Sequence, residues 1–195
     1  MVIFERKLQE RLASPSLLVI DSQSVKTVQF VSEEIGVDGG KKINRRKRTI
    51  LIDKLGLPFA VKVTTVNILD NQGGILAVNL LRGKVCRLQK IAADKGYKNA
   101  FCEYVETAYN WEVEIAQKPE SSQGFIPEKN RWQVERSLGG LNFRRRLFRE
   151  VEKTIFSEEA MLQMAFISLI INSKTCFYLL NSMIGRTGKV IWMKK

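Results

Sequence analysis

Leu17-Leu18-Val19-Ile20 is an apolar run that stops at Asp21, and it predicts a buried strand leading into that acid. Before it, residues 4–12 predict a short helix closed by Ser14-Pro15-Ser16. After it, residues 33–48 predict a loop, with Gly36, Gly39 and Gly40 followed by a basic run. Residues 49–53 and 59–65 read as strands, and the turn residues Lys54-Leu55-Gly56-Leu57-Pro58 join them as a hairpin. Residues 70–82 predict a helix weakened by Gly73 and Gly74. Residues 85–93 are apolar enough for a central strand and run into Asp94. Residues 98–109 predict a helix, and residues 111–116 alternate apolar and acidic positions as a half-buried strand does. Residues 119–130 predict a loop. Residues 132–149 have helical spacing, with Val134, Leu138, Leu141 and Phe148 on or near one face. Ser157 is placed to cap a last helix starting at Glu158, with Glu159 and Ala160 in its first turn.

The resulting order of strand, hairpin, helix, strand, helix, strand, helix is that of a mixed α/β domain. There is no internal repeat and no clear domain boundary. Open α/β sheets place ligands at the carboxyl ends of their strands. The first strand, the fourth strand and the late helix would each supply one acid there: Asp21, Asp94 and Glu135. Three such carboxylates can converge on a divalent cation. Asp38, Asp53 and Asp70 are further available acids; Asp53 reads as a hairpin residue and Asp70 as a helix N-cap. Glu135 also reads as a solvated helix acid paired with Arg131 and Arg136.

Charge strengthens the case for a polyanionic partner. The 195 residues hold 32 Lys and Arg against 20 Asp and Glu, a net charge of +12, which favours nucleic acid or an anionic membrane. Residues 41–48 carry six Lys or Arg in eight positions, and binding of phosphates there would weaken steeply with salt. The same run also reads as a merely solvated loop. Hydrophobic residues make up 45%, enough for one folded domain. The most apolar stretch, residues 160–171, is shorter than the roughly 20 residues that span a bilayer and reads as a core or partner-packing helix. No secretory signal is visible, so a cytoplasmic setting without membrane association is expected.

The composition excludes several chemistries. With no histidine, Ser-His and Cys-His nucleophiles and His-ligated zinc are unavailable. Hydrolysis near neutral pH then calls for a hard cation held by carboxylates. Cys86, Cys102 and Cys176 form no close-spaced metal pair and are expected as small buried apolar residues in a reducing compartment. Trp132 is expected in the core.

Val19-Ile20-Asp21-Ser22-Gln23-Ser24-Val25-Lys26 resembles the first-aspartate segment of bacterial insertion-sequence transposases of the DDE superfamily. Gly39-Gly40-Lys41-Lys42 through Arg45-Arg46-Lys47-Arg48, then Leu51 to Pro58, then Val66-Asn67-Ile68-Leu69-Asp70 follow that family in order. Ala92-Ala93-Asp94-Lys95-Gly96-Tyr97 looks like its second-aspartate segment. Gly124-Phe125, Arg131-Trp132-Gln133-Val134-Glu135-Arg136 and Arg144-Arg145-Arg146-Leu147 look like its glutamate segment. The resemblance covers about residues 4–171.

It implies a ribonuclease H-like mixed sheet flanked by helices. It also implies metal-dependent cleavage of transposon ends and transfer of the freed 3′ hydroxyl into target DNA. Asp21, Asp94 and Glu135 would hold Mg²⁺, for which Mn²⁺ can substitute. Arg131 matches a family arginine four residues before the glutamate. Lys41, Lys42, Arg45, Arg46, Arg131, Arg136, Arg144 and Arg145 would contact DNA. Some relatives place tyrosine seven residues before the glutamate and lysine seven after; here Glu128 and Asn142 stand there. Residues 1–172 would form the catalytic domain and residues 173–195 a divergent tail. Full-length relatives carry a further N-terminal end-binding region, which would be encoded separately, and homodimer formation is a family expectation. Two other readings stand beside this one: an inactive DNA-binding remnant of a truncated transposase, and a metal-dependent nuclease that does not transpose.

Overall fold

Strand β1 (Leu17–Lys26) does begin with the apolar run, but it continues well past Asp21. The acid therefore sits within the strand rather than at its end. The extension exists because β3 (Ile43–Ile52) pairs antiparallel along it, from Val19 opposite Ile52 to Lys26 opposite Arg45. The computed structural model describes residues 1–38, 43–116 and 131–187, with backbone alone at 37, 38, 43, 131 and 173–187. The expected loop at residues 119–130 lies outside the described residues, as do Lys41 and Lys42.

Chain order is α1 (Val2–Leu8), β1, β2 (Gly36–Asp38), β3, β4 (Pro58–Thr65), α2 (Asp70–Asn79), β5 (Lys90–Ala93), a 3-10 turn (Lys95–Tyr97), α3 (Ala100–Tyr109), β6 (Glu112–Ile115), α4 (Arg131–Asn142) and α5 (Ile155–Thr187). The six-stranded sheet runs β2-β3-β1-β5-β6, with β4 also paired to β3. β1, β3 and β4 are antiparallel neighbours, whereas β5 and β6 run parallel to β1. With β2 as a short extension, this is the ribonuclease H-like α/β arrangement. The β3–β4 hairpin forms where its turn residues placed it, with Asp53 Oδ1 accepting from the backbone N–H groups of Leu55 at 2.9 Å and Leu57 at 3.0 Å.

Alternation along the central strands divides the core in two. Leu18, Ile20, Leu51 and Ile91 face α2 and α3, where they meet Ala77, Leu81 and Phe101. Val19, Ile50, Ile52 and Ala92 face the other way, against Val134 and Leu138 of α4 and Leu162 and Phe166 of α5. Gly74 lets α2 approach the first of these cores. A Cβ there would lie 2.8 Å from the Tyr97 ring and 2.9 Å from the Phe101 ring, both buried. Gly74→Ala is therefore expected to lower stability by about 1–3 kcal/mol through overpacking, although alanine is the better helix former. Urea unfolding would measure it.

Several expectations change. The basic run is no loop, because Arg45 to Arg48 lie inside β3. Arg46 and Arg48 are each 0% exposed on the face covered by α5, and Lys47 is buried on the opposite face. The first helix is shorter and earlier than its pattern: the chain breaks at Glu10, at φ 55°. Helix α4 ends at Asn142, so helical spacing fails beyond it, and Leu147 rather than Phe148 is buried. Ser157 does not cap α5, which starts earlier, at Ile155; its N–H donates to Thr154 Oγ1 at 3.2 Å, and Glu158 is buried. Trp132 is 51% exposed, not in the core. Cys86 is exposed and Cys102 half-buried, because each sits on the outside of its segment; Cys176 lies outside the described side chains.

One stretch of α5, Ile155–Asn172, is long and apolar enough to cross a membrane by length and composition. Leu162 and Phe166 pack on the sheet, while Phe156, Met164, Ile167 and Ile171 are exposed.

Candidate active site

Asp21 and Asp94 are placed by one register. β1 and β5 are parallel neighbours with Val19 beside Ala92, and each aspartate stands two residues further on. Adjacent strands lie about 4.8 Å apart, and side chains two apart share a face. Val19 and Ala92 belong to the core under α4, so the aspartates follow them at the carboxyl edge of that face. Each is half-buried and held by a local amide: Ser22 N–H donates to Asp21 Oδ1 at 2.8 Å, and Gly96 N–H donates to Asp94 Oδ1 at 2.9 Å.

Glu135 arrives on α4. Val134, Leu138 and Leu141 anchor that helix to the same core, which leaves Glu135 exposed next to Val134. The three elements carrying the acids thus meet around one face. Among the described residues, however, no three Asp, Glu, His or Cys side chains are gathered closely enough to hold a metal ion.

A second set of groups lies behind Asp21. Lys47 Nζ pairs with Asp70 Oδ1 at 2.9 Å and donates to the Ile68 carbonyl at 2.8 Å. The Ser22 hydroxyl donates to the same Asp70 oxygen at 2.8 Å. Asp70 opens α2 but caps nothing with its side chain, contrary to the N-cap expectation, because Ser22 and Lys47 draw it toward the sheet. Asp70 Oδ2 and Asp94 Oδ1 face each other across Gly96, each 3.1 Å from where a Cβ would stand. The Tyr97 hydroxyl is buried beneath them and makes no hydrogen bond of normal geometry. Burial pushes its pKa far above the ordinary range; nearby Ser22 opposes that, while the charges of Asp21, Asp70 and Asp94 add to it. An all-oxygen donor set is the kind that a hard divalent cation takes.

Sequence reasoning passed over Lys47 and Ser22. The available signal was period two along 45–48, which turns Lys47 away from Arg46 and Arg48 once the segment is a strand.

The basic residues scatter. Arg46 donates to the carbonyls of Glu33 at 2.7 Å, Glu152 at 2.8 Å and Lys153 at 2.5 Å, and pairs with Glu158 at 3.4 Å. Wholly enclosed, it is out of reach of DNA, and its expected role there is corrected. Arg45 is half-buried on β3. Arg136 is exposed, with its guanidinium 5.9 Å from the Trp132 ring centre. Arg144 is half-buried and donates to Ser168 Oγ at 3.1 Å, and Arg145 is exposed. The Arg131 side chain lies outside the described residues.

The strand order and its flanking helices define a ribonuclease H-like α/β domain. The family model of the transposase DDE domain matches residues 12–171, and the chain belongs to that family. No curated protein matches the chain.

Proposed function

We propose that this chain is the catalytic domain of an insertion-sequence transposase, cutting transposon ends and joining the freed 3′ hydroxyl to target DNA. The observation that supports this best is the parallel register of β1 and β5, with Val19 beside Ala92 and an aspartate two residues beyond each. In this reading Asp21, Asp94 and Glu135 hold Mg²⁺ or Mn²⁺. The bound cations would supply activation of the attacking oxygen and stabilisation of the leaving one. The chain's own contribution is placement: Ser22 N–H orients Asp21, Gly96 N–H orients Asp94, and the packed face of α4 presents Glu135.

The inactive, DNA-binding reading has one observation in its favour, the absence of three gathered carboxylates among the described residues. Incubation with DNA carrying the ends that flank its own gene separates the readings. Nicking and strand transfer with Mg²⁺, abolished by chelation, are expected; salt-sensitive binding without any metal-dependent nicking would favour the remnant, and nicking without joining would favour a simple nuclease.

Arg136 and Arg145 are proposed phosphate contacts, together with Lys41, Lys42, Arg45, Arg131 and Arg144. Arg136→Ala and Arg145→Ala are each expected to weaken DNA binding alike for all sequences and to lower the salt slope by about 1. Binding isotherms across a salt series would read both.

A further inference from the structure

We propose that Asp70 is a positioning residue for Asp21, acting through Ser22 and locked by Lys47. This rests on the reading of Asp21 as a cation ligand. The contacts form one continuous path. Lys47 is held at the Ile68 carbonyl and pairs with Asp70 Oδ1 at 2.9 Å; that oxygen accepts from Ser22 Oγ at 2.8 Å; Ser22 N–H donates to Asp21 Oδ1 at 2.8 Å. The path crosses the sheet: Ser22 and Lys47 point to the α2 side, and Asp21 points to the α4 side. Fixing the Ser22 side chain on one side therefore fixes the Asp21 carboxylate on the other.

Two further observations tie this arrangement to Asp94 as well. The Tyr97 hydroxyl is buried next to Ser22 and lies within the field of Asp21, Asp70 and Asp94. Gly96 lets the two carboxylates come close: a Cβ there would stand 3.1 Å from both Asp70 Oδ2 and Asp94 Oδ1, tighter than an ordinary contact. A partly exposed Lys–Asp pair adds little to stability. Its larger consequence here is orientation, as for the outer partners that set metal ligands elsewhere.

The test is Mn²⁺ binding to the full chain, followed by electron paramagnetic resonance, with melting temperature as the fold control. Ser22→Ala and Asp70→Ala are expected to weaken Mn²⁺ binding about 10–100-fold with little change in melting. Asp70→Asn keeps an acceptor for Ser22 and is expected to bind more tightly than Asp70→Ala. The Ser22→Ala/Asp70→Ala double variant is expected to lose little more than either single one. If Asp70→Ala does not fold, Ser22→Ala and Asp70→Asn carry the measurement. Wild-type Mn²⁺ affinity in Ser22→Ala and Asp70→Ala overturns the inference alone, provided Asp21→Asn binds weakly. Undiminished binding by Asp21→Asn, or none by the wild type, overturns the underlying reading and this inference with it.

Discussion

Asp21→Asn is expected to cut metal-dependent cleavage of end DNA by at least about 10³-fold while leaving the fold intact. A bound cation contributes several kcal/mol of charge stabilisation in such reactions, and about 4 kcal/mol corresponds to that factor. Asparagine keeps an oxygen to accept from Ser22 N–H, so the backbone at this point need not move. Asp21 is half-buried, and asparagine is close to it in size and shape. Gel assays of nicking and joining, together with a melting curve, would separate lost chemistry from lost structure. Cleavage within tenfold of wild type would remove Asp21 from the site.

Arg48→Met should be the most destabilising of the substitutions considered, at about 3–5 kcal/mol. Arg48 is 0% exposed and bridges two buried acids: Nη2 pairs with Glu150 at 2.8 Å and Nε with Glu158 at 2.6 Å. Nη1 also donates to the Leu147 carbonyl at 2.9 Å. Arg46 reaches Glu158 at 3.4 Å, so two guanidiniums and two carboxylates share one enclosed cluster. Removing Arg48 leaves Glu150 and Glu158 with a single cation between them. The expected loss is a large part of the roughly 5–15 kcal/mol that holds a domain folded. Denaturant unfolding at neutral pH would measure it, and a change under 1 kcal/mol would show that the cluster is poorly coupled to global stability.

The same cluster has a pH signature. Burial, then the neighbouring Glu150, raises the Glu158 pKa from 4.5 to about 8, while Arg48 opposes the shift. An acid raised on folding takes up protons as the chain folds. Its stabilising contribution is full below about 4.5 and is lost as pH rises toward 8. Arg48→Met removes the opposing cause, so the fall in stability is expected to continue to higher pH. Melting curves at several pH values would follow it.

Much of this layout was legible locally. The hairpin at residues 53–58 announces itself through its turn residues, and α2 keeps two glycines in close contact, Gly73 with Thr49 of β3 and Gly74 with Tyr97 and Phe101. Asp21 and Asp94 were legible as acids bound to apolar runs. Other features were not. Arg46, Lys47 and Arg48 look alike in sequence, yet two of them close a buried cluster with Glu150 and Glu158 and one pairs with Asp70. Glu158 lies 110 residues from Arg48, and no local pattern names that partner.

The linear order of apolar and polar positions determined most of the strands and helices of this protein and which acids follow apolar runs, because those depend on near neighbours and side-chain periodicity. Only the tertiary structure decided which charges are enclosed, that Asp70 turns to Ser22 and Lys47 instead of capping its helix, and that no three acids among the described residues are drawn together. The reason is physical: a charge acquires its role from the partner and the solvent that folding gives it, and both come from elsewhere in the chain.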